Sequence, residues 1–472
     1  MTKTLMTPLA LAAVLFVAGC ATLQPPVPEA SPSIPVEWPL PSTTPSSTPT
    51  PDDGAPLVAD IGWRDFFADP RLDQLVAQAL ENNRDLRVAM LNVERARAQY
   101  RIRRADRMPS LGGEVSMTRA GGDNVDISES YSASAGIAGF ELDLFGRVHN
   151  LGQAALQQYF ATEEARRSAQ LALIAQVANT WLALAADTEL LAIARDSLAS
   201  HEASFELTGQ RHALGAVSGL DLNQARTLVE AARSDVARFE GQVAQDRNAL
   251  ALLVGGQVEP SLLPDAFVPE VSGITALPAG LPSEVLLRRP DVLAAEHQLR
   301  AATANIGAAR AAFFPSITLT GSIGSTSDQL SGLFDGGSGM WSFIPRVNIP
   351  IFQGGRLAAA LGVAKADRDI ALAEYEKAIQ SGFREVADAL ALSATLARQR
   401  EAQAALAEAA GRAHELSQAR YDAGLDSYLV LLDAQRTLYA ARQSLVATQL
   451  AEQANRVTLY KVLGGGWSET GT

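Results

Sequence analysis

Few residues in this 472-residue chain are placed to do chemistry. The only thiol, Cys20, ends the run "VAGC", which resembles a lipobox, the motif whose cysteine is lipidated and becomes the first residue of the mature protein. A lone cysteine is ordinarily a buried structural one, but this one closes a secretory signal of one Lys and an apolar run from Leu9 to Val17. With no second thiol there is no disulfide within the chain, so the signal, not cysteine usage, reports the compartment. The five histidines, His149, His201, His212, His297 and His414, have no metal-ligand spacing and read mostly as solvated helix-face residues. No GxSxG, Walker A or GxGxxG segment is present, so neither a catalytic group nor a metal site is expected.

A different pattern lies near the C-terminus. After Gly424, "LDSYLVLLDAQR" starts a helix with Ser427 as N-cap, and Leu429 and Asp433 fall four apart on one face. From these residues alone, Asp433 equally suits an i,i+3 ion pair with Arg436 on a solvated surface, worth roughly a few tenths of a kcal/mol.

The elements that must carry these residues occur twice. The stretch from Asn82 aligns without a gap on the stretch from Arg288: Asp85 falls on Asp291, Arg104 on Arg310, Pro109 on Pro315 and Ser110 on Ser316. "RHALGAVSGLDLNQA" answers "RYDAGLDSYLVLLDA", and "LLVGG" answers "KVLGG", at nearly the same spacing. This is a duplicated unit of roughly 200 residues. The organisation read from it is a signal at 1–19, Cys20 and a Pro-rich tether at 20–56, a first repeat at 57–259, a linker at 260–283 and a second repeat at 284–472. The tether holds 11 of the 23 prolines, so it builds no core and is expected to be extended, reaching from a lipid anchor to the folded body.

No proline occurs between Pro109 and Pro260 or after Pro350, and Val177, Leu184, Leu191 and Leu198 recur at sevens. Such breaker-free runs predict coiled-coil-like helices over about His149–Leu214 and Leu357–Ala423, each about 100 Å long. Gly215 and Gly424 end them in tips where a second helix turns back, and Gly255 and Gly464 end that second helix. Alternating segments, "PSITLTGSIG" and "MWSFIPRVNIPIF", predict a hairpin at about 315–352, with Ile317, Leu319, Ile323, Phe343 and Val347 on one face and Thr318, Thr320, Ser322, Arg346 and Asn348 on the other. A less regular hairpin is expected at about 110–145, its parity restored by a bulge near Gly139.

Segments of this length, apolar on one face and polar on the other, are a weak signature of a membrane β-barrel; each strand taken alone better suits the edge of a soluble sandwich, and the lipobox and the absence of a partner sheet favour the barrel. Four strands cannot enclose a lumen, because about eight are needed merely to fill an interior with side chains. Closure therefore needs several chains, and the duplication lets a small ring approximate an evenly lined tube. The net charge of −13 argues against nucleic acid as a partner. No run of 18 apolar residues follows the signal, so no helical membrane span is expected.

"WRDFFADPRLDQLVAQALENNRDL", "ELDLFGR", "LLRRPDVLAAEHQLRAATANIGAARAAFFPSITLTGSIG", "IPIFQGGR" and "YDAGLDSYLVLLDAQRTLY" resemble the outer-membrane efflux protein family, the TolC superfamily, in its lipidated NodT/OprM-like branch. The resemblance covers essentially the whole mature chain. It implies a mainly α fold with a β-barrel: a homotrimer, each chain giving four strands to one 12-stranded barrel in the outer membrane and its long helices to a periplasmic α-barrel tunnel. It further implies a periplasmic adaptor and an inner-membrane RND transporter as partners, passive conduction of exported small compounds, and no cofactor beyond lipid on Cys20. Leu429 and Asp433 match positions facing the tunnel axis at its periplasmic end, and Tyr421 and Arg436 match positions that tie neighbouring helices shut. The paired turn around Asp221 is the second place where such a gate could lie. Two other functions are weighed: a related channel for protein or peptide secretion, and a periplasmic coiled-coil lipoprotein with no barrel.

Overall fold

Proline and glycine placement decides where helix can run. The computed structural model describes residues 23–35, 37–39, 58–267, 270–272 and 282–465. Cys20 and the signal lie outside the described residues, as do much of the tether and the centre of the linker. The elements in order are helices α1 (Trp63–Phe66), α2 (Pro70–Asn82) and α3 (Arg84–Ala105), strands β1 (Leu111–Gly122) and β2 (Val125–Leu142), and helices α4 (Arg147–Ala213) and α5 (Gly219–Val254). Helices α6 (Pro282–Arg288) and α7 (Pro290–Ala311), strands β3 (Ser316–Ser327) and β4 (Gly339–Asn348), and helices α8 (Arg356–Asp422) and α9 (Tyr428–Val462) follow.

The duplication is visible element by element. Helices α3 and α7 have 22 residues each, and α4 and α8 have 67 each. Both long helices stop in the same way. Gly215 and Gly424 take φ of 73° and 72°, and Ala216 and Leu425 donate back to the carbonyls of Arg211 and Arg420, each at 2.9 Å. That left-handed closure satisfies helix carbonyls that would otherwise face nothing.

The chain divides into two compact units. One gathers Leu91–Glu164 and Ala294–Lys377 with the described residues up to Ser31. Its centre is a four-stranded antiparallel meander in the order β1-β2-β3-β4. The register sorts side chains by polarity: Ile317 opposes Val347, Gly321 opposes Phe343 and Ile323 opposes Trp341, while Thr318 opposes Arg346 and Ser322 opposes Ser342. The expected bulge is present, with the β2–β3 register shifting between Ile137 and Phe140, Gly139 at φ 65° and its N–H donating to Thr320 Oγ1 at 3.1 Å. Hydroxyl pairs stitch the polar face, Ser116 to Ser132 and Ser322 to Ser342, both at 2.8 Å. On that face the strands come so close that a Cβ on Gly136 would lie 2.2 Å from the carbonyl oxygen of Gly321, and one on Gly324 2.2 Å from that of Ala133. The sheet therefore curls toward its polar side, and only glycine fits inside the bend. The outer strands β1 and β4 each pair on one edge only.

The described part of the Pro-rich stretch forms no helix or strand. In this unit Arg310 Nη1 donates to the carbonyl of Leu23 at 3.1 Å, and the Ser31 N–H donates to Glu376 Oε1 at 3.1 Å.

The other unit gathers Pro32–Met90, Ala165–Leu293 and Ala378–Thr472. Its core packs α1 and α2 among the long helices: Phe66 stacks on Tyr460 at 3.9 Å, and Trp181 donates its indole N–H to the carbonyl of Leu262 at 3.2 Å. The heptad residues Val177, Leu184 and Leu191 are buried, and Leu198 is half-buried. One 18-residue window of α4 has a mean hydropathy of 1.4, so by length and composition this helix could cross a membrane, contrary to the expectation from the sequence. Yet 61% of that window is buried, which is what the core helix of a folded body requires. The repeats also share one polar joint. Asn83 donates to the carbonyl of Leu253 at 2.9 Å, and Arg289, its counterpart in the second repeat, donates to that of Val462 at 3.0 Å.

Candidate functional site

The two helix tips hold the residues singled out at the periplasmic end. At the first tip Ser218 and Asp221 form a reciprocal capping box: the Asp221 N–H donates to Ser218 Oγ at 3.2 Å, and the Ser218 N–H donates to Asp221 Oδ2 at 3.1 Å. The Asp221 carboxylate thus holds the start of α5. The second tip closes differently. Arg420 grips Asp426 through two hydrogen bonds, Nε to Oδ2 at 2.7 Å and Nη2 to Oδ1 at 2.8 Å, which holds the Asp426 carboxyl below its ordinary pKa. Ser427 occupies the N-cap position of α9 as expected, but its side chain makes no capping bond.

Between the tips lies a small apolar core of Ala225, Tyr421, Tyr428 and Leu431, with Phe205 and Leu207 against it. The rings of Tyr421 and Tyr428 are 5.6 Å apart, and the Arg211 guanidinium sits over Tyr421 at 4.9 Å. Burial, then the neighbouring Tyr421, pushes the Tyr428 hydroxyl up to about 12, with Arg436 opposing and Asp221 adding to the rise. Tyr421, Asp221 and Arg436 are therefore all close enough to Tyr428 to act on it. The Tyr421 hydroxyl is buried and meets no hydrogen-bond partner.

Leu429 and Asp433 lie on the other side of α9. Leu429 is 63% exposed, and Asp433 and Arg436 are exposed. No ion pair joins Asp433 to Arg436, so the solvated-pair reading of this turn is not what the fold adopts. The open face of α9 carries Leu429 and, one turn on, the carboxylate of Asp433, while its opposite face holds Tyr428, Leu431, Leu432 and Gln435 in the core.

One turn beyond the aromatic core is a polar layer. His201 accepts from or donates to Ser197 Oγ at 3.2 Å through Nε2, while its Nδ1 and both amide atoms of Gln435 are buried and unpartnered. Burial, then His414 and Arg436, holds the His201 pKa below that of a free imidazole. Reading the histidines as mostly solvated was wrong: only His212 is exposed. A helix in this wall packs on more than one side, so a single apolar stripe does not mark all of its buried positions.

Four tip residues escape the sequence reading: Arg211, Tyr428 and the paired Arg420 and Asp426. The spacing R-x5-D across a helix-ending glycine was the available signal for the last. Among the described residues no three His, Cys, Asp or Glu converge to hold a metal ion.

The chain matches the family model described as outer membrane efflux protein over residues 75–256 and 281–465. It is 44% identical to the probable efflux pump outer membrane protein TtgC of Pseudomonas putida, over 99% of this chain and 97% of that one. It is 46% identical to the outer membrane protein OprJ of Pseudomonas aeruginosa, over 87% and 88% of the two chains. The open-state MtrE outer membrane channel of Neisseria gonorrhoeae shares its fold at a TM-score of 0.86 and 39% identity, covering 96% of this chain and 100% of that one. The fold is that of an outer-membrane channel. The chain belongs to the outer membrane efflux protein family. It is an efflux component of the outer membrane, in a family of channels and not of enzymes. A lipoprotein without strands is ruled out by the meander, and the named relatives favour efflux over protein secretion.

Proposed function

We propose that three copies of this chain close their sheets into one 12-stranded barrel in the outer membrane and extend their long helices as a tunnel into the periplasm. The observation that carries this reading is the sheet: four strands, apolar on the outside of the bend and polar on the inside, with both edges unpaired. Exposed edges invite further pairing, and a lumen needs more strands than one chain supplies. Such a tunnel passively conducts small compounds delivered by an inner-membrane RND transporter through a periplasmic adaptor. The names of the relatives as efflux pump components support those partners.

Leu429 and Asp433 form the constriction. In a threefold ring their exposed face stacks a leucine layer, which narrows the pore, on three carboxylates, which attract cations. Tyr421, Arg436 and Asp221 hold the hairpins that bear them, and partner binding favours the open arrangement of the tips. Cys20 is lipidated. The bond from Arg310 to Leu23 supports an anchor beside the sheet, because only two residues separate Leu23 from Cys20.

Cysteine pairs test the assembly. In a Cys20→Ser background, Thr118→Cys on β1 combined in turn with Ser342→Cys, Ile344→Cys and Arg346→Cys on β4 should give a disulfide-linked ladder that ends at three chains. A ladder ending at two, or open-ended, refutes the trimer. Intact-mass measurement of the mature wild type tests the lipid, and a protein without acyl mass sinks that part of the reading.

A further inference from the structure

We infer that the C-terminal turn of α3 is a docking surface for the anionic phospholipid headgroups of the membrane leaflet around the base of the sheet. The inference rests on the barrel reading above. Helix α3 carries seven arginines against two carboxylates in 22 residues, within a chain of net charge −13. Its counterpart α7, built by the same duplication, carries two against two. The basic cluster is therefore a property of one repeat and not of the shared architecture.

Arg101, Arg103, Arg104 and Arg107 crowd the end of this helix, and all four are exposed. At about 100° per residue they point in different directions around the axis, so a neighbour packed on one side leaves others free. Arg103 meets Asp106 at 3.5 Å, with both side chains about half exposed. Among the described residues, Arg101, Arg104 and Arg107 enter no ion pair. At the same place in the second repeat Arg310 holds the Leu23 carbonyl.

Position supplies the partner. Strand β1 begins at Leu111, so Arg107 lies within about 14 Å of the first strand residue even if the link is fully extended. Met108 and Leu111 between and beside them are 72% and 79% exposed. Exposed apolar residues followed on the helix side by long cationic side chains suit a boundary where the former enter hydrocarbon and the latter reach phosphates. Clustered arginine offers paired donors to phosphate oxygens as well as charge. Each basic residue near an anionic surface is worth about fivefold in affinity, and the attraction weakens with salt.

The test uses the full-length assembled channel in detergent, incubated with equal amounts of phosphatidylglycerol and phosphatidylcholine and examined by native mass spectrometry. Wild type should retain phosphatidylglycerol preferentially. The variant Arg101→Gln/Arg104→Gln/Arg107→Gln should lose that preference by on the order of a hundredfold, and the corresponding triple Lys variant should keep most of it. Equal retention of the two lipids by wild type, or an unchanged preference in the Gln variant, overturns the inference. Planar-bilayer recordings on the same samples separate the alternatives. Unchanged conductance and ion selectivity in the Gln variant support the lipid surface, whereas altered selectivity with unchanged lipid binding places these arginines in the lumen and overturns it. If wild type forms no pore at all, the barrel reading fails and this inference falls with it.

Discussion

At the residue scale, the tips separate two jobs that one short segment of sequence runs together. Tyr428, Leu431 and Leu432 are buried while Leu429 and Asp433 look outward, so substitutions on the open face should change the pore without disturbing the fold. Asp433→Ala, and more so Asp433→Ala with Leu429→Ala, should raise single-channel conductance and weaken cation preference in planar bilayers at unchanged trimer yield. Unchanged conductance and selectivity in well-assembled double variants would move the constriction to the turn around Asp221. Tyr421 gives a sharper contrast. Its hydroxyl is buried without a partner, and leaving such a group unsatisfied is unfavourable. Tyr421→Phe should therefore melt at the same temperature as wild type or higher, while Tyr421→Ala, which empties the aromatic core, should destabilise by about 3–5 kcal/mol. A marked loss in the Phe variant would show that the hydroxyl ties the tips through a bond made only in the assembly.

At the element scale, the sheet and the first hairpin each offer a test with a sign. Arg at Ile317, Leu319, Phe343 or Val347 should cost about 2–4 kcal/mol if the residue lies near the bilayer midplane, and Thr318→Arg should be tolerated. Equal tolerance on both faces in an assembly assay would exclude the assigned orientation. Along the first hairpin, burial and then the facing Asp187 carboxyl push Asp246 up to about 6 from an ordinary 3.8. A carboxyl whose folded pKa is raised favours folding most below its unfolded value, and that contribution is lost as pH rises through about 6. Asp246→Asn removes the penalty of ionisation, so it should stabilise the protein at pH 7.5 by about 1 kcal/mol after allowance for partial exposure. It should also flatten the dependence of melting temperature on pH between about 4 and 7. A variant that melts lower at pH 7.5 would contradict this.

At the scale of the whole molecule, the two repeats use the same joint with different chemistry. Asn83 serves the first hairpin with neutral hydrogen bonds, whereas Arg289 is almost fully buried and also binds Asp291 and Glu385, each at 2.7 Å. Arg289→Ala removes the buried donor to the Val462 carbonyl and leaves two carboxylates that keep access to water, so it should destabilise by about 3 kcal/mol in denaturant melts. Asn83→Ala should cost less, about 1–3 kcal/mol. The reverse order would show that the first repeat bears the load. What the sequence determined by itself is what local rules reach: the duplication, the two long helices and their glycine ends, the four strands, their faces and the bulge at Gly139. Each depends on period, proline and glycine placement within a few neighbouring residues. The tertiary structure alone decided that His201 is buried, that the apolar window of α4 is core, and that Asp433 stands free of Arg436. It also set Arg211 over Tyr421, residues 210 positions apart in the chain. These depend on which surfaces meet after the helices turn back on one another, and a heptad pattern marks one stripe of a helix without naming the partners on its other sides.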